Sequence, residues 1–376
     1  MRANNVLGLV FSNTYDRCLD EITSMRSMAS VPYGGRYRLI DFPLSAMVNS
    51  GMSHVGIITK SNYQSLMDHV GNGRAWDLSR KNGGLRILPP FNTGNVGLYS
   101  GKIQAIAGAM DFISHSEEEY VLMTDSNFVF NVDLTEMFKY HESKNADITL
   151  AYINGKAPKI SELAEFDIAD DGRITKLYRT TGADNANYSL NVLLMRKSLL
   201  ERLINNAISL NYHSFTEDIL QRNVGSLKIY GYNFNGFVRV MDNIQSYFEA
   251  NMALLEKENR KSLLSTQPVY TKVKDDVPAI YGLDSHVSNS LIADGCVIEG
   301  TVENSVLFRG VHIGKGAIVK NCVLMQNAYI SDSVNLNCVV ADKDIVIKPN
   351  KVLSGDITFP VYIGKGIVIS DEQNNK

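Results

Sequence analysis

The chain has 376 residues, 44% of them hydrophobic, which predicts a globular protein with two domains rather than one. Lys and Arg number 37 against 40 Asp and Glu, so no chain-wide basic field exists to hold nucleic acid or an anionic membrane. Four cysteines without metal-ligand spacing, and an N-terminus without a basic segment or cleavage site, predict a reduced, cytoplasmic protein that is not secreted.

Short apolar runs alternate with amphipathic stretches through the first two thirds of the chain. This pattern predicts a Rossmann-like α/β domain, with a mostly parallel sheet and helices on both faces. Ligands bind beyond the carboxyl ends of the strands of such a sheet, so loops 12–30, 89–104 and 125–133 and the segment near 179 should line any pocket. The apolar runs are Val6 to Phe11, Val55 to Thr59, Tyr120 to Thr124, Ile148 to Ile153 and Leu190 to Met195.

A different pattern begins near Pro268, where aliphatic residues recur at about hexapeptide spacing. Four segments show it, at 292–297, 313–318, 330–334 and 363–368. Such repeats are typical of a left-handed parallel β-helix, although ordinary β-hairpins are the alternative. The predicted organisation is therefore a first domain at 1–255, a helical connector at 256–275 and a β-helix domain at 276–376.

One segment, Val31 to Ser45, reads VPYGGRYRLIDFPLS and is followed by Asn49, Ser50 and Gly51. It resembles the sugar-nucleotide pyrophosphorylases, most closely glucose-1-phosphate adenylyltransferase (ADP-glucose pyrophosphorylase), whose order residues 3 to about 370 follow. The resemblance implies a nucleotidyltransferase domain of the GT-A-like type. It also implies a reaction in which ATP and glucose 1-phosphate give ADP-glucose and pyrophosphate, with Mg²⁺ held by two carboxylates.

The loop after the first strand departs from this family. In place of a glycine-rich GGxGTR loop that cradles the triphosphate, residues 13–18 read NTYDRC, without glycine. Asp16 would repel phosphate oxygens by about 1 to 4 kcal/mol at a separation of roughly 4 Å. The RAKPAV motif reads RSMASV at 26–31, so Met28 replaces a lysine that neutralises phosphate charge.

The metal positions are also altered. Asp125 matches the first metal-binding aspartate of the family, but Val240 stands where the second is expected. Asp242 lies two residues further on, about 6.5 Å along a strand, and is a weak substitute. Asp125 alone is therefore expected to be a capping or turn residue, with no metal bound.

The remaining substrate motifs differ as well. Arg179 replaces the glutamate of the V-E-K-P motif, and residues 101–105 read GKIQA in place of GTADA, with Gly101 retained. Trp76 falls where relatives carry a Gly-Trp pair near the nucleotide pocket, and a packed aromatic is the favoured interpretation. With its site residues altered and its scaffold residues matching, the chain resembles the GlgD-type regulatory subunits of Gram-positive bacteria. The resemblance implies that it pairs with a catalytic ADP-glucose pyrophosphorylase subunit in a heterotetramer and activates that subunit.

Arg26, Arg36 and Arg38 surround the loop where relatives bind phosphorylated effectors, and three arginines within thirteen residues could form a phosphate site. A solvated surface with ion pairs, such as Arg38 with Asp41, is the alternative.

Two other functions stay open. An active adenylyltransferase would need Asp125 with Asp242 or Asp133 to hold Mg²⁺. An acyltransferase would need a histidine base in the β-helix, where His286 and His312 are available.

Overall fold

The computed structural model describes residues 3–90, 99 and 101–370. Most of the predicted pocket loop 89–104 lies outside these residues. None of the helices within them has a stretch long and apolar enough to cross a bilayer.

The N-terminal region is built on one large sheet. Its strands are β1 (Val6–Phe11), β4 (His54–Ile58), β5 (Gly84–Leu88), β6 (Tyr120–Asp125), β8 (Ile148–Gly155), β9 (Ala164–Ile168), β10 (Ile174–Arg179), β11 (Ala186–Arg196) and β12 (Ile229–Asn233). Two short ribbons flank it, formed by β2 (Pro32–Tyr33) with β3 (Tyr37–Arg38), and by β7 (Phe128–Val129) with β13 (Arg239–Val240).

The strand order of the sheet is β10-β9-β11-β6-β1-β4-β5, and β8 pairs with β11 and with β12. Strands β6, β1, β4 and β5 run parallel, as the alternating pattern predicts, and β12 runs parallel to β8. Strand β11 runs antiparallel to both β6 and β8. The Rossmann-like class is thus confirmed, with β11 as an inverted strand in the sheet.

Side chains of β1 alternate between two apolar cores. Val6 and Val10 pack into one, and Leu7 and Leu9 into the other, because successive residues of a strand point to opposite faces. The helices that cover the faces are α1 (Asp20–Thr23), α2 (Asp41–Asn49), α3 (Gln64–Val70), α4 (Lys102–Gly108), α5 (Met110–Ser114), α6 (Leu134–Ser143), α7 (Lys197–Ser209), α8 (Ile244–Met252) and α9 (Lys257–Leu264).

Local sequence explains where several helices begin. The side chain of Asp133 accepts a hydrogen bond from the Thr135 N–H at 2.8 Å and caps α6, whose buried residues recur at helical spacing. Asn243 and Ser246 form a reciprocal capping box before α8. A π-helical turn spans Phe215–Gln221, and 3₁₀ turns span Ala3–Asn5, Asp16–Leu19, Met28–Ser30, Arg74–Trp76 and Ala253–Leu255.

The repeat region folds as a parallel β-helix, as predicted. Its coils stack three parallel sheets, with ladders such as Ile298, Ile313, Ile330 and Ile347 filling the interior. The first sheet contains β14 (Ile280–Tyr281), β17 (Val297–Ile298), β20 (His312–Ile313), β23 (Tyr329–Ile330), β26 (Val346–Ile347) and β29 (Val368–Ile369). The second contains β15 (His286–Ser288), β18 (Thr301–Glu303), β21 (Ile318–Lys320), β24 (Asn335–Asn337) and β27 (Val352–Ser354). The third contains β16 (Leu291–Ile292), β19 (Val306–Leu307), β22 (Val323–Leu324), β25 (Val339–Ala341) and β28 (Val361–Ile363).

One face of the β-helix shares a core with the sheet domain. Phe308, Met325 and Val340 are fully buried in the same apolar cluster as Tyr247 and Leu254, from α8 and the turn after it. The two regions therefore pack through buried apolar surface.

Candidate functional site: a pocket at the strand ends and a cationic cluster

A cavity of about 500 Å³ opens at the carboxyl ends of β1 and β4. The loop after β1 and the start of α4 form its walls, which include Asn13, Thr14, Asp16, Lys60, Lys102 and Glu162. This is the end of the sheet where the topology predicts a ligand.

The loop after β1 is held by its own side chains. Asp16 Oδ1 accepts a hydrogen bond from the Met28 N–H at 2.7 Å, and Asp16 Oδ2 accepts one from Asn13 Nδ2 at 2.6 Å. Burial raises the pKa of Asp16 from 3.8 to about 6, although these hydrogen bonds oppose the shift. A carboxylate therefore bonds a backbone N–H in this pocket, while the Met28 side chain is fully buried in the core.

Asp125 ends β6 at the pocket and is paired with a buried lysine. Lys102 Nζ lies 2.8 Å from Asp125 Oδ2, and the Thr14 hydroxyl donates to Asp125 Oδ1 at 3.2 Å. The ammonium also lies 5.0 Å from the centre of the Phe11 ring. Burial raises the pKa of Asp125, while Lys102 and Thr14 act in the opposite direction.

Tyr15 and Asn191 complete the surroundings of Asp125. Asn191 Nδ2 donates to the Tyr15 hydroxyl oxygen at 2.7 Å, and its side chain also bonds Asp125. Tyr15 is fully buried, and burial together with the Asp125 charge raises the pKa of its phenol well above the usual value. The polar network around Asp125 is thus dense and enclosed.

The residues present do not fit a divalent metal. Val240 pairs with Phe128 in a β-ribbon, and Asp242 donates its backbone N–H to Ser246 Oγ at 3.0 Å where α8 begins. Burial and the charge of Asp242 raise the pKa of the Cys18 thiol to about 11. In residues 3–90, 99 and 101–370, no group of three or more His, Cys, Asp or Glu side chains could hold a metal ion.

The segment at Arg179, for which the family resemblance implies a sugar-phosphate contact, has its charge paired. Arg179 Nε lies 3.1 Å from Glu217 Oε1, and its Nη2 lies 4.0 Å from Glu162 Oε1. The hydroxyls of Thr180 and Thr181 donate to Glu165 at 2.7 and 2.8 Å. Two carboxylates thus offset the Arg179 charge, which leaves little attraction for a phosphate.

Of the two predicted pocket remnants, Gly101 lines the cavity and Trp76 does not. Trp76 is fully buried and packs edge-on against His69, with ring centres 5.8 Å apart. His69 Nε2 in turn lies 2.6 Å from Asp41 Oδ1. Trp76 is therefore packed in the core, away from the cavity.

The three predicted anion-binding arginines differ in their surroundings. Arg26 Nη1 lies 2.9 Å from Asp342 Oδ1 of the β-helix, and both side chains are at most 3% exposed. Arg38 Nη1 donates to the Ser65 carbonyl and hydroxyl oxygens at 2.5 and 2.9 Å. Its contact with Asp41 comes from the Arg38 backbone N–H and not from the guanidinium. Arg36 is exposed and lies over the ring of Tyr37, at 5.6 Å.

Lys343 of the β-helix adds a cation beside these arginines. Burial and the charges of Arg38 and Arg26 lower its pKa from 10.5 to about 7, and Lys365 acts in the same direction. Asp342 acts in the opposite direction. Together, Arg26, Arg38, Lys343 and Lys365 form a cationic cluster between the two regions.

Sequence reasoning missed Lys102, Lys343 and Lys365. Lys102 carried a usable signal, because a lysine replaces a small residue in the GTADA stretch beside the aspartate strand. Lys343 and Lys365 lie in the repeat, where the hexapeptide pattern explains only the apolar positions. Their proximity to Arg26 depends on how the β-helix packs.

The two histidines of the β-helix lie in different sheets. His286 is in β15, whereas His312 is in β20 and stacks on Tyr329 with ring centres 4.4 Å apart. The structure does not bring them together.

Both regions of the chain match known protein families. A family model described as nucleotidyl transferase matches residues 17–257, and one described as GlmU-like C-terminal hexapeptide matches residues 277–358. The chain is 34% identical to the glycogen biosynthesis protein GlgD of Bacillus subtilis over 99% of both chains. It is 38% identical to the protein of the same name from Geobacillus stearothermophilus, over 84% of this chain and 83% of that one. It is also 34% identical to a glucose-1-phosphate adenylyltransferase of Clostridium perfringens, over 88% and 87%. The chain therefore belongs to the nucleotidyl transferase family, within the group that contains GlgD proteins and glucose-1-phosphate adenylyltransferases.

Proposed function

We propose that this chain is a cytoplasmic, catalytically degenerate regulatory subunit that acts in glycogen biosynthesis. Its partner is a catalytic glucose-1-phosphate adenylyltransferase, with which it forms a heterotetramer. The relatives' names supply the process and the reaction. The proposal rests mainly on the loop after β1. There the Asp16 carboxylate accepts a hydrogen bond from the Met28 N–H, at the position where the family resemblance implies phosphate binding.

The charges of the pocket argue against turnover. Nucleotidyl transfer needs donors and cations aimed at oxygens that gain negative charge. Here Asp16 brings a carboxylate to the pocket, Met28 is buried in the core, and Arg179 is offset by Glu217 and Glu162. Lys102 is paired with Asp125, so Arg17 and Lys60 are the remaining basic side chains among the described pocket residues.

Activation of a partner needs only differential binding. A subunit that binds the active state of its partner more tightly than the inactive state shifts the equilibrium, and about 1 to 3 kcal/mol of coupling is enough. The chain has the complete two-region scaffold through which such contacts can form.

We also propose that a phosphorylated effector binds the cationic cluster. Arg26, Arg38 and Lys365 are cationic, Lys343 can take up a further proton, and Asp342 offsets one charge, so the cluster favours an anion. Burial first, and then the charges of Arg38 and Arg26, lower the pKa of Lys343. A phosphate would offset these charges and would connect the two regions.

The test is pyrophosphate release from ATP and glucose 1-phosphate with Mg²⁺, measured for this chain, for a catalytic adenylyltransferase from the same organism, and for the mixture. We expect no release above background from this chain alone and a several-fold higher rate for the mixture than for the catalytic chain. Bovine serum albumin at equal concentration controls for protein crowding. Turnover by the purified chain alone would contradict the proposal, as would a mixture no faster than the catalytic chain.

A further inference from the structure

We infer that Lys102 is an internal counter-ion that takes the place of a divalent cation at Asp125 and excludes metal from the pocket. Lys102 would fill this role in the isolated chain, with or without a partner protein.

The contacts of Asp125 support this role. Lys102 Nζ lies 2.8 Å from one carboxylate oxygen, and the Thr14 hydroxyl lies 3.2 Å from the other. Both members of the ion pair are buried, with 5% of the lysine side chain exposed and none of the aspartate side chain. A metal ion would have to displace the ammonium to reach the oxygen that Lys102 holds.

The surroundings of the lysine favour a cation at this point. Its ammonium lies 5.0 Å from the centre of the Phe11 ring, whose face attracts positive charge. A divalent ion beside it would meet a repelling positive charge in an enclosed site, where screening by water is weak. Its ligands would also have to come from a network already occupied by Thr14, Asn191 and Lys102.

The position of Lys102 at the start of a helix is unfavourable for a buried cation unless a carboxylate compensates its charge. It is the first residue of α4, where the helix dipole disfavours a cation. A buried ammonium without a partner is costly in any case. Asp125 is the contact that offsets both effects, so the pair behaves as one unit.

A double-mutant cycle tests the counter-ion role. We expect Lys102→Met and Asp125→Asn each to lower the melting temperature by roughly 5 to 10 °C, because each leaves its partner buried and unpaired. The double variant should recover most of that loss. Lys60→Met is the matched control, since Lys60 lines the same pocket but is half-exposed, and it should change the melting temperature little. Additive losses in the double variant would overturn the inference.

Binding of Mn²⁺, followed by electron paramagnetic resonance, tests the exclusion of metal without any enzymatic assay. The wild-type chain should bind no Mn²⁺ at Asp125, so its Mn²⁺ signal should be the same as that of the Asp125→Asn variant. In a Val240→Asp background, which returns a carboxylate to the second family position, Lys102→Met should create Mn²⁺ binding that Asp125→Asn abolishes. The Val240→Asp variant with Lys102 intact should not bind.

Either of two results would overturn the inference on metal. One is Asp125-dependent Mn²⁺ binding with Lys102 in place, and the other is a Val240→Asp/Lys102→Met variant that binds none. Because neither readout is turnover or partner activation, these outcomes are separate from the fate of the proposed function.

Discussion

At the scale of single residues, Arg26 and Asp342 form a buried charge pair between positions 316 residues apart in the sequence. Arg26 follows the loop that lines the pocket, and Asp342 lies in the β-helix. Tyr362 also donates to Asp342, at 3.0 Å, so both carboxylate oxygens have partners. The pair therefore connects the pocket loop with the β-helix.

Asp342→Asn should lower the free energy of unfolding by about 3 to 5 kcal/mol, because it leaves the Arg26 guanidinium buried without its counter-charge. Urea unfolding followed by circular dichroism measures the change. The double variant Arg26→Met/Asp342→Asn is the control, and it should be more stable than Asp342→Asn alone. If it is less stable, the loss does not come from an unpaired charge.

The pKa of Lys343, lowered to about 7, predicts proton uptake when an anion binds. At pH 8 the lysine is mostly neutral, and an anion in the cationic cluster raises its pKa and protonates it. Calorimetric titration with inorganic phosphate at pH 8, in buffers of different ionisation enthalpy, should therefore give heats that depend on the buffer. The Lys343→Met variant should lose that dependence, whereas Lys348→Met, at an exposed position of the β-helix, should keep it.

The same shift affects stability. Between pH 7 and about 10.5 the unfolded chain binds a proton at Lys343 that the native chain does not, so this group makes the free energy of unfolding rise with pH in that window. Below pH 7 both states are protonated and its contribution stays constant. Stability of the wild type that falls relative to Lys343→Met as pH rises from 7 to 10 would contradict the assigned shift.

At the scale of secondary-structure elements, the turns after β15, β18, β21 and β24 form one column along the β-helix. Asn289, Asn304, Asn321 and Cys338 occupy it, with φ angles of 41°, 46°, 51° and 52°. Asparagine tolerates this left-handed conformation better than most residues. Cys338 is the member of the column whose side chain lacks that advantage.

Cys338→Asn should therefore raise the free energy of unfolding by about 0.5 to 1 kcal/mol, because it relieves strain at a left-handed position. Thermal and urea unfolding measure the gain. Cys322→Asn is a contrasting control: both thiols are buried, but Cys322 lies in the apolar interior cluster and outside the left-handed region, so an amide there should destabilise. An unchanged or lower stability for Cys338→Asn would show that packing around the thiol outweighs the backbone strain.

The elements themselves were largely predictable from local pattern. The apolar run beginning at Val6 and the hexapeptide spacing from Ile292 onward reflect the periods of a strand and of a coil, which the sequence displays directly. The inversion of β11 was not predictable, because Leu190 to Met195 is an apolar run that fits either direction. What decides the direction is the pairing with β6 and β8, which is tertiary.

The site residues were predictable only where they fall within a single family motif. The loss of glycine at 13–18 and of aspartate at Val240 is visible when the sequence is compared with the family motifs. The pairing of Lys102 with Asp125, and of Arg179 with Glu217, depends on distances between loops that no local pattern encodes.

At the scale of the whole molecule, the two regions share a core, so they should not fold independently. Residues 1–275 alone should be aggregated or loosely packed, because removal of the β-helix exposes the surface that Phe308, Met325 and Val340 cover. Near-ultraviolet circular dichroism and dye binding of that fragment, compared with the full chain, measure this. A fragment with full-length near-ultraviolet signal and cooperative unfolding would instead show that the domain boundary near 275 is also a folding boundary.

The ion pair between Lys102 and Asp125, in the counter-ion role inferred above, would make a metal site hard to build by single mutational steps. Replacing Lys102 first would leave a buried carboxylate uncompensated, and restoring an aspartate at 240 first would add a carboxylate beside a site that is already neutralised. Each single step lowers stability or brings no gain, and only both changes together could rebuild a metal site. If the proposed regulatory function holds, the pair would act as a barrier that keeps a metal-dependent site from re-forming one substitution at a time.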